Sequence, residues 1–311
     1  MKSISENGWP ELNFEAFKDT LETVHLWTQI VGKIRLRKTP WINHSWHVTL
    51  KVSPLGLTTG SIPFENGMFE IEFDFINDLV LITLSSGKIE KMQLYARTVS
   101  DFYQELMGKL KDLGVDVGIY AAPNEIEPAI RFDQDVIHRS YVHSQIHSFW
   151  EILVRVNNIF TEFRAGFIGK CSPVHFFWGG FDLAVTRFSG RTAPKYPGSV
   201  PNIPARVMQE AYSHEVSSCG FWPGNAQYPQ AAFYSYCYPT PDDFGSQPIM
   251  PKEAFFSKDL GEFLLNYDVV LDVADPAGII LQFLQSTYEA AALTGHWDRS
   301  SLEEDFSSME K

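Results

Sequence analysis

Histidine, carboxylate and arginine side chains occur together in the second half of the chain. His175, His214, Asp182 and Glu215 are candidate catalytic residues, because an imidazole or a carboxylate can exchange a proton with a substrate. Arg187, in the same stretch, can hold an anionic group through paired hydrogen bonds. If these side chains converge in one cleft, they predict a general base, either His175 or His214, beside an anion-binding site.

Large aromatic residues lie among these charged groups. A ligand pocket combines apolar walls with a few well-placed polar groups, and the same mixture returns in the segment AYSHEVSSCGFWPG. The alternative is that the charges pair with one another inside the protein, as buried charges must. The predicted ligand-binding residues are Arg164, Lys170, Trp178, Arg187, Arg191, Trp222, Tyr234 and Tyr236.

Two histidines near the start of the first strand are candidate metal ligands. His44 and His47 are close enough to share a metal ion in a turn, whereas in a strand they would lie on opposite faces. Structural histidines are the alternative interpretation. We therefore assign no metal site, and the sequence leaves any cofactor unknown.

Familiar nucleotide-binding and hydrolase motifs are absent from the sequence. Gly169 and Lys170 resemble part of a phosphate-binding loop, but Arg164 stands where its first glycine belongs and Cys171 where Ser or Thr would bind magnesium. No GxSxG, HExxH or GxGxxG motif occurs. The motifs therefore do not identify a reaction.

The three cysteines indicate a reducing compartment. Cys171, Cys219 and Cys237 form no CxxC pair, which fits free thiols in the cytoplasm better than a disulfide framework or a thiolate zinc site. Cys219, close in sequence to His214, can act as a nucleophile only if its thiol pKa is lowered.

Composition and charge exclude several classes of protein. The chain has 311 residues, of which 44% are hydrophobic and 14% aromatic, a profile typical of a globular protein. Its net charge of −13 would repel nucleic acid and anionic lipid headgroups. No stretch approaches the roughly 18 apolar residues of a membrane helix, so we expect a cytoplasmic protein.

Hydrophobic periodicity predicts two copies of one arrangement, a helix followed by about four antiparallel strands and a second helix. The dipeptides Gly32-Lys33 and Gly169-Lys170 each close a long helix in this alignment. The strands of the first copy include 79–84, and its second helix is predicted over 98–113, capped by Thr98 or Ser100. Further strands are predicted over 116–121 and 267–273. The predicted units are a first repeat (1–122), a second repeat with loop insertions (123–299) and an acidic, serine-rich tail (300–311), with both repeats packed as one globular unit.

This order of elements predicts an α+β fold with internal duplication. It is similar in topology to the duplicated TATA-box-binding-protein-like and helix-grip folds, which place helices on one face of a curved sheet and leave the other face free. The negative net charge argues that a free face here does not hold DNA.

Several segments resemble a bacterial family catalogued only as a domain of unknown function. The resemblance spans nearly the whole chain, implies a cytosolic bacterial protein, and supplies no catalytic residues. It rests on GKCSPVHFFWGGFDLAVTRFSGR, AYSHEVSSCGFWPG, AAFYSYCYP, VHLWTQIVGK and NHSWHV.

Three hypotheses about function follow from the sequence. The first is an enzyme, a hydrolase or transferase, that acts on a small anionic molecule. The second is a non-catalytic protein whose aromatic cavity binds an apolar or ring-bearing ligand. The third is a scaffold that self-associates through the free sheet face. A polar cleft, a ring-lined cavity and a flat apolar face would favour these hypotheses in turn.

Overall fold

Residues 5–304, the part of the chain that this computed structural model describes, form seven helices and twelve strands. The helices are α1 (Phe14–Lys38), α2 (Val99–Asp112), α3 (His143–Ala165), α4 (Ala205–Ala211), α5 (Tyr267–Leu271), α6 (Pro276–Thr294) and α7 (Arg299–Leu302). The strands are β1 (Lys51–Val52), β2 (Gly56–Thr58), β3 (Ile62–Phe64), β4 (Gly67–Asp74), β5 (Leu79–Leu84), β6 (Ile89–Gln93), β7 (His175–Phe177), β8 (Asp182–Thr192), β9 (His214–Trp222), β10 (Ala232–Tyr238), β11 (Phe255–Ser257) and β12 (Glu262–Asn266).

The strands form two antiparallel sheets of six strands each, so the predicted α+β class is confirmed. The first sheet has the order β1-β2-β4-β5-β6, with β3 paired to β4. The second has the order β11-β12-β10-β9-β8-β7. A backbone bridge between Leu50 and Phe176 joins the two sheets, with N–H···O distances of 2.9 and 2.8 Å.

One hydrophobic core runs through both halves of the chain. Helix α1 lies inside it and is buried on nearly every side over its second half, where Trp27 stacks on Phe102 of α2 at 4.7 Å. Gly32 of the same helix faces Trp178 of the second half. The two halves therefore pack as one unit, while the duplication and its boundaries stay predictions, and the end of the predicted tail lies outside the described residues.

Two predicted strands are wrong. Residues 116–121 form no strand but belong to a segment, 113–142, that contains neither helix nor strand and connects the two halves. Residues 267–271 form α5, and the strand lies just before it, at β12. A short apolar run fits a strand and a buried helix equally well, so the residues that pack against it determine which of the two forms.

The long helices that cover the second sheet lie on one face. Helices α3 and α6 cover that face, where Phe160 of α3 contacts the ring of Phe233 at 6.4 Å. Because side chains alternate along a strand, the residues between the helix-facing ones point to the opposite face. That face carries the candidate site. None of the helices in the described part of the chain is long and apolar enough to cross a membrane.

Candidate functional site

The face of the second sheet opposite α3 and α6 is the floor of a cavity of about 510 Å³. Small residues on the adjacent strands β8 and β9 leave the space open: Ala184 pairs with Gly220, and Thr186 pairs with Ser218, whose hydroxyl lies 2.8 Å from the Thr186 hydroxyl. Cavities of roughly 300–1,000 Å³ are typical of small-molecule sites. The volume is therefore that of a ligand site.

Aromatic and apolar side chains form the walls and the cover of this cavity. The cover is the segment 200–212, which includes α4, and it is held over the sheet where the His44 backbone N–H donates to Glu210 at 2.8 Å. A second tie joins it to the connecting segment, since the Glu125 backbone N–H donates to the Pro201 carbonyl at 2.9 Å. The aromatic lining residues are Trp41, Trp46, Phe177, Trp178, Phe188, Tyr212, Trp222, Tyr234 and Tyr236.

A glycine in β9 determines where Tyr234 lies. A Cβ atom on Gly220 would come within 2.3 Å of the Tyr234 phenol, so only glycine allows the ring to lie over this strand. The ring stacks on that of Tyr236, with centroids 6.1 Å apart. The Tyr236 hydroxyl in turn lies 2.8 Å from that of Tyr212. The tyrosines thus form one hydrogen-bonded, stacked row along the floor.

Three carboxyl groups line the cavity near one another, since the charge of Asp182 acts on the other two. Asp182 accepts a hydrogen bond from the Tyr234 hydroxyl at 2.5 Å. Glu125 lies beside it: a Cβ atom on Gly180 would be 2.7 Å from Oδ1 of Asp182 and 3.9 Å from Oε2 of Glu125. Glu262, at the start of β12, also lines the cavity. We call Glu125, Asp182 and Glu262 the acidic end.

The surroundings of the acidic end favour protonated carboxyls. Burial raises the pKa of Asp182 to about 6, and the hydrogen bond from Tyr234 offsets only part of this effect. Burial and then the neighbouring Asp182 charge raise the pKa of Glu125 and of Glu262 to about 7 each. Glu125 is exposed as a residue, but its carboxyl lies against Gly179 and Gly180. At neutral pH these groups are therefore close to their titration points.

The opposite end of the cavity contains a histidine. Nδ1 of His44 lies 3.0 Å from the Ala211 carbonyl, and Nε2 lies 2.5 Å from the Lys170 ammonium. Burial, and then the nearby lysine, lower the pKa of His44, so Nε2 of the neutral imidazole accepts a hydrogen bond from the lysine ammonium. The Lys170 ammonium also packs against the Phe188 ring at 4.7 Å and does not line the cavity.

Five of the predicted catalytic and ligand-binding residues line this cavity. Two come from the middle of β10, two from the ends of β8 and β9, and one directly follows β7. They are Trp178, Asp182, Trp222, Tyr234 and Tyr236.

The predicted anion-binding cations do not converge there. Arg187 alternates to the helix-covered face, where its guanidinium lies 3.5 Å from the Phe163 ring centroid and 4.3 Å from that of Tyr288, and donates to the Phe163 carbonyl. Arg164 donates to the Ser172 carbonyl at 2.6 Å. Arg191 is exposed and pairs with Glu215 at 2.7 Å. Among residues 5–304 no arginine or lysine lines the cavity.

The packing of Arg187 leads to a prediction about stability. Replacing Arg187 with lysine removes the flat group that fills the space between two rings and leaves a compact, strongly hydrated charge there. We expect Arg187→Lys to lower the free energy of unfolding by about 2 kcal/mol in urea denaturation. Arg206→Lys, at an exposed site, should change it by less than about 0.5 kcal/mol. Equal stability of both variants would contradict this account of the guanidinium.

The two predicted catalytic histidines lie outside the cavity lining. His175 is 1% exposed and lies beneath Trp46 and Phe177, with Nδ1 3.2 Å from the Thr49 hydroxyl and Nε2 without a hydrogen-bond partner in the described chain. Burial lowers its pKa to about 3, so its ring is neutral. His214 is the first residue of β9, and its ring centroid lies 5.9 Å from that of His44. The structure thus does not bring the histidines and the cations together.

The candidate metal ligands and the thiols are occupied by other contacts. His47 accepts a hydrogen bond at Nδ1 from the Ile42 backbone N–H at 3.2 Å. Within residues 5–304, no three His, Cys, Asp or Glu side chains are arranged to hold a metal ion. Cys219 lies on the helix-covered face, near the Val185 carbonyl, and burial raises the pKa of its thiol. A thiol with a raised pKa does not supply the thiolate that a nucleophile needs.

Sequence reasoning misses two of the three carboxyls. Glu262 precedes an apolar run, FLL, and could have been found as the first residue of a strand. A strand predicted at 267–273 instead leaves Glu262 in a loop. No sequence pattern identifies Glu125 as a site residue, because it lies in an irregular segment. It reaches the site only through the path of that segment across the molecule.

Comparisons with known proteins place the chain in a family without giving it an activity. No curated protein and no solved structure matches it. One family model, described as a family of unknown function (DUF5996), matches residues 9–304, which is nearly the whole chain. The chain therefore belongs to the DUF5996 family.

Proposed function

We propose that the protein binds a small organic molecule in the cavity on the second sheet. The observation that carries the proposal is the combination of about 510 Å³ of space, aromatic walls and three carboxyl groups that no basic side chain in the described chain neutralises. Ligand sites have this mixture of apolar walls and a few polar groups. Scaffolds that associate through a sheet instead need a flat exposed apolar face.

The lining of the cavity does not favour an anionic ligand. An anion would need a cationic or N–H-rich surface, and the predicted clamp residues Arg164 and Arg187 bind backbone carbonyls elsewhere. The proposed ligand is therefore neutral or cationic. Free thiols at all three cysteines support a reducing compartment such as the cytoplasm as the place of action.

Acid–base catalysis in the same cavity is a second candidate function. Its support is the pKa of Asp182, Glu125 and Glu262, raised to about 6, 7 and 7 by burial, because groups that titrate near neutral pH transfer protons efficiently. If the protein is an enzyme, the Asp182→Asn variant should lose turnover but still bind the ligand.

The proposed function is tested by filling the cavity. Ala184 lies on its floor, so Ala184→Phe places a ring in the ligand space. We expect native mass spectrometry of the purified protein, or thermal-shift screening of a broad metabolite library, to find a ligand for the wild type that Ala184→Phe loses. Ala129→Phe, at an exposed site in the connecting segment, is the matched control and should keep the ligand. A folded wild-type protein that binds no library member, or an Ala184→Phe protein that binds as the wild type does, would overturn the proposal.

A further inference from the structure

The acidic end of the cavity lacks a counter-charge. Within residues 5–304, Asp182 has one side-chain hydrogen-bond partner, the Tyr234 hydroxyl, and the charge that acts on Glu125 and Glu262 is that of Asp182 itself. Buried charges in proteins are normally paired. Lys170 and Lys33 contact the lining residues His44 and Asn124 but do not line the cavity themselves.

Aromatic groups stand around this uncompensated charge. Trp178 and Trp222 line the cavity together with Tyr234, whose hydroxyl is already used by Asp182, so its ring remains as the contact surface. Rings next to carboxylates form the usual binding site for an organic cation, which gains from both the charge and the π-electrons. The carboxyl groups are not arranged as metal ligands, which leaves a nitrogen cation as the group that fits.

The rest of the cavity defines the remainder of the ligand. The cover contributes the apolar side chains of Val200, Ile203, Val207 and Met208, and the far end contributes Trp46. A ligand that fills the cavity therefore has an apolar, ring-bearing body attached to its charged group.

We infer that the ligand carries a basic amine, which binds as an ammonium ion between Asp182, Glu125 and Glu262, with its apolar body under the segment 200–212. This inference rests on the proposed function and adds the chemical class of the ligand. The ammonium ion favours the charged form of the carboxyl that it contacts, so the affinity rises with pH through the range in which that group titrates.

The inference is tested with three probes that share one ring and differ in charge: tryptamine, the neutral tryptophol and the anionic indole-3-acetate. At about pH 7.5, isothermal titration calorimetry of the wild type should show tryptamine binding at least about tenfold more tightly than tryptophol, a difference of about 1.4 kcal/mol, with indole-3-acetate the weakest. The double variant Asp182→Asn, Glu262→Gln should lose this preference. Glu65→Gln, at an exposed turn, should keep it.

The results distinguish a failure of the amine inference from a failure of the proposed function. If tryptophol binds as tightly as tryptamine, or if the double variant keeps the preference for tryptamine, the inference that the ligand carries an amine is wrong. The proposed function would still stand if Ala184→Phe blocked binding. No binding of any of the three probes at millimolar concentration also overturns the inference for ring-bearing amines. The proposed function is then decided by the library and mass-spectrometry experiment alone.

Discussion

Gly32→Ala is expected to lower the free energy of unfolding by about 3 kcal/mol, the upper range for overpacking a core. A Cβ atom at this position would lie 2.2 Å from Nε1 of Trp178. The indole cannot move aside easily, because it is 5% exposed and donates a hydrogen bond to the Val48 carbonyl at 2.7 Å. The variant must therefore shift α1 or give up that hydrogen bond, and Trp178 is also a wall of the cavity.

A second glycine in a helix provides the control. A Cβ atom on Gly108 of α2 would meet no side chain and no neighbouring element within 4 Å, so Gly108→Ala should stabilise the protein by up to about 1 kcal/mol through helix propensity alone. Urea denaturation of both variants measures the contrast. If Gly32→Ala were as stable as Gly108→Ala, the close packing of α1 against Trp178 would be refuted.

Asp182→Asn is expected to stabilise the ligand-free protein by about 3 kcal/mol at about pH 7.5 and by only about 1 kcal/mol at about pH 4.5. The sign follows from burial, which raises the pKa of Asp182 from 3.8 to about 6. The folded state then holds its proton more tightly than the unfolded state, so this group lowers stability as the pH rises from about 4 to 6. Asparagine carries no charge and can still accept from Tyr234, so it avoids that loss.

The free energy of unfolding must be compared between wild type and Asp182→Asn at each pH, because the pH profile of either protein alone contains contributions from other groups. Burial lowers the pKa of His25 to about 4 and of His175 to about 3, so these histidines make the wild type less stable as the pH falls below about 6.5. Their contribution is the same in wild type and Asp182→Asn and cancels in the difference. Glu65→Gln, at an exposed turn, is the control and should change the free energy of unfolding by less than about 0.5 kcal/mol. A constant offset for Asp182→Asn at both pH values would contradict a desolvated carboxyl.

Local pattern is enough to predict the central parts of the fold. Alternation predicts strand β5 at its observed bounds, because its residues face a core on one side only. Helix α2 is predicted to within a residue, since Thr98 caps it by accepting from the Asp101 backbone N–H and Gly114 follows its end. The prediction for 267–273 is wrong because burial of Tyr267 and Val270, which stabilises α5, depends on distant parts of the chain.

The sequence predicts the walls of the candidate site and one of its three carboxyls. Residues on one face of the strands, such as Tyr234 and Asp182, are identified because aromatic and polar residues recur there. Arg187 shares that composition but differs by one residue in register, and a shift of one residue moves a side chain to the opposite face. Glu125 depends on the path of an irregular segment, which no local pattern encodes.

The acidic end is made of residues that are synthesised far apart in time. Glu125 comes from the connecting segment, Asp182 from the start of β8, and Glu262 from the start of β12, the last strand within residues 5–304. Domains fold largely as units while the chain emerges from the ribosome. A nascent chain that ends before β12 therefore lacks one of the three carboxyls, and the acidic end is complete only after both sheets have been synthesised.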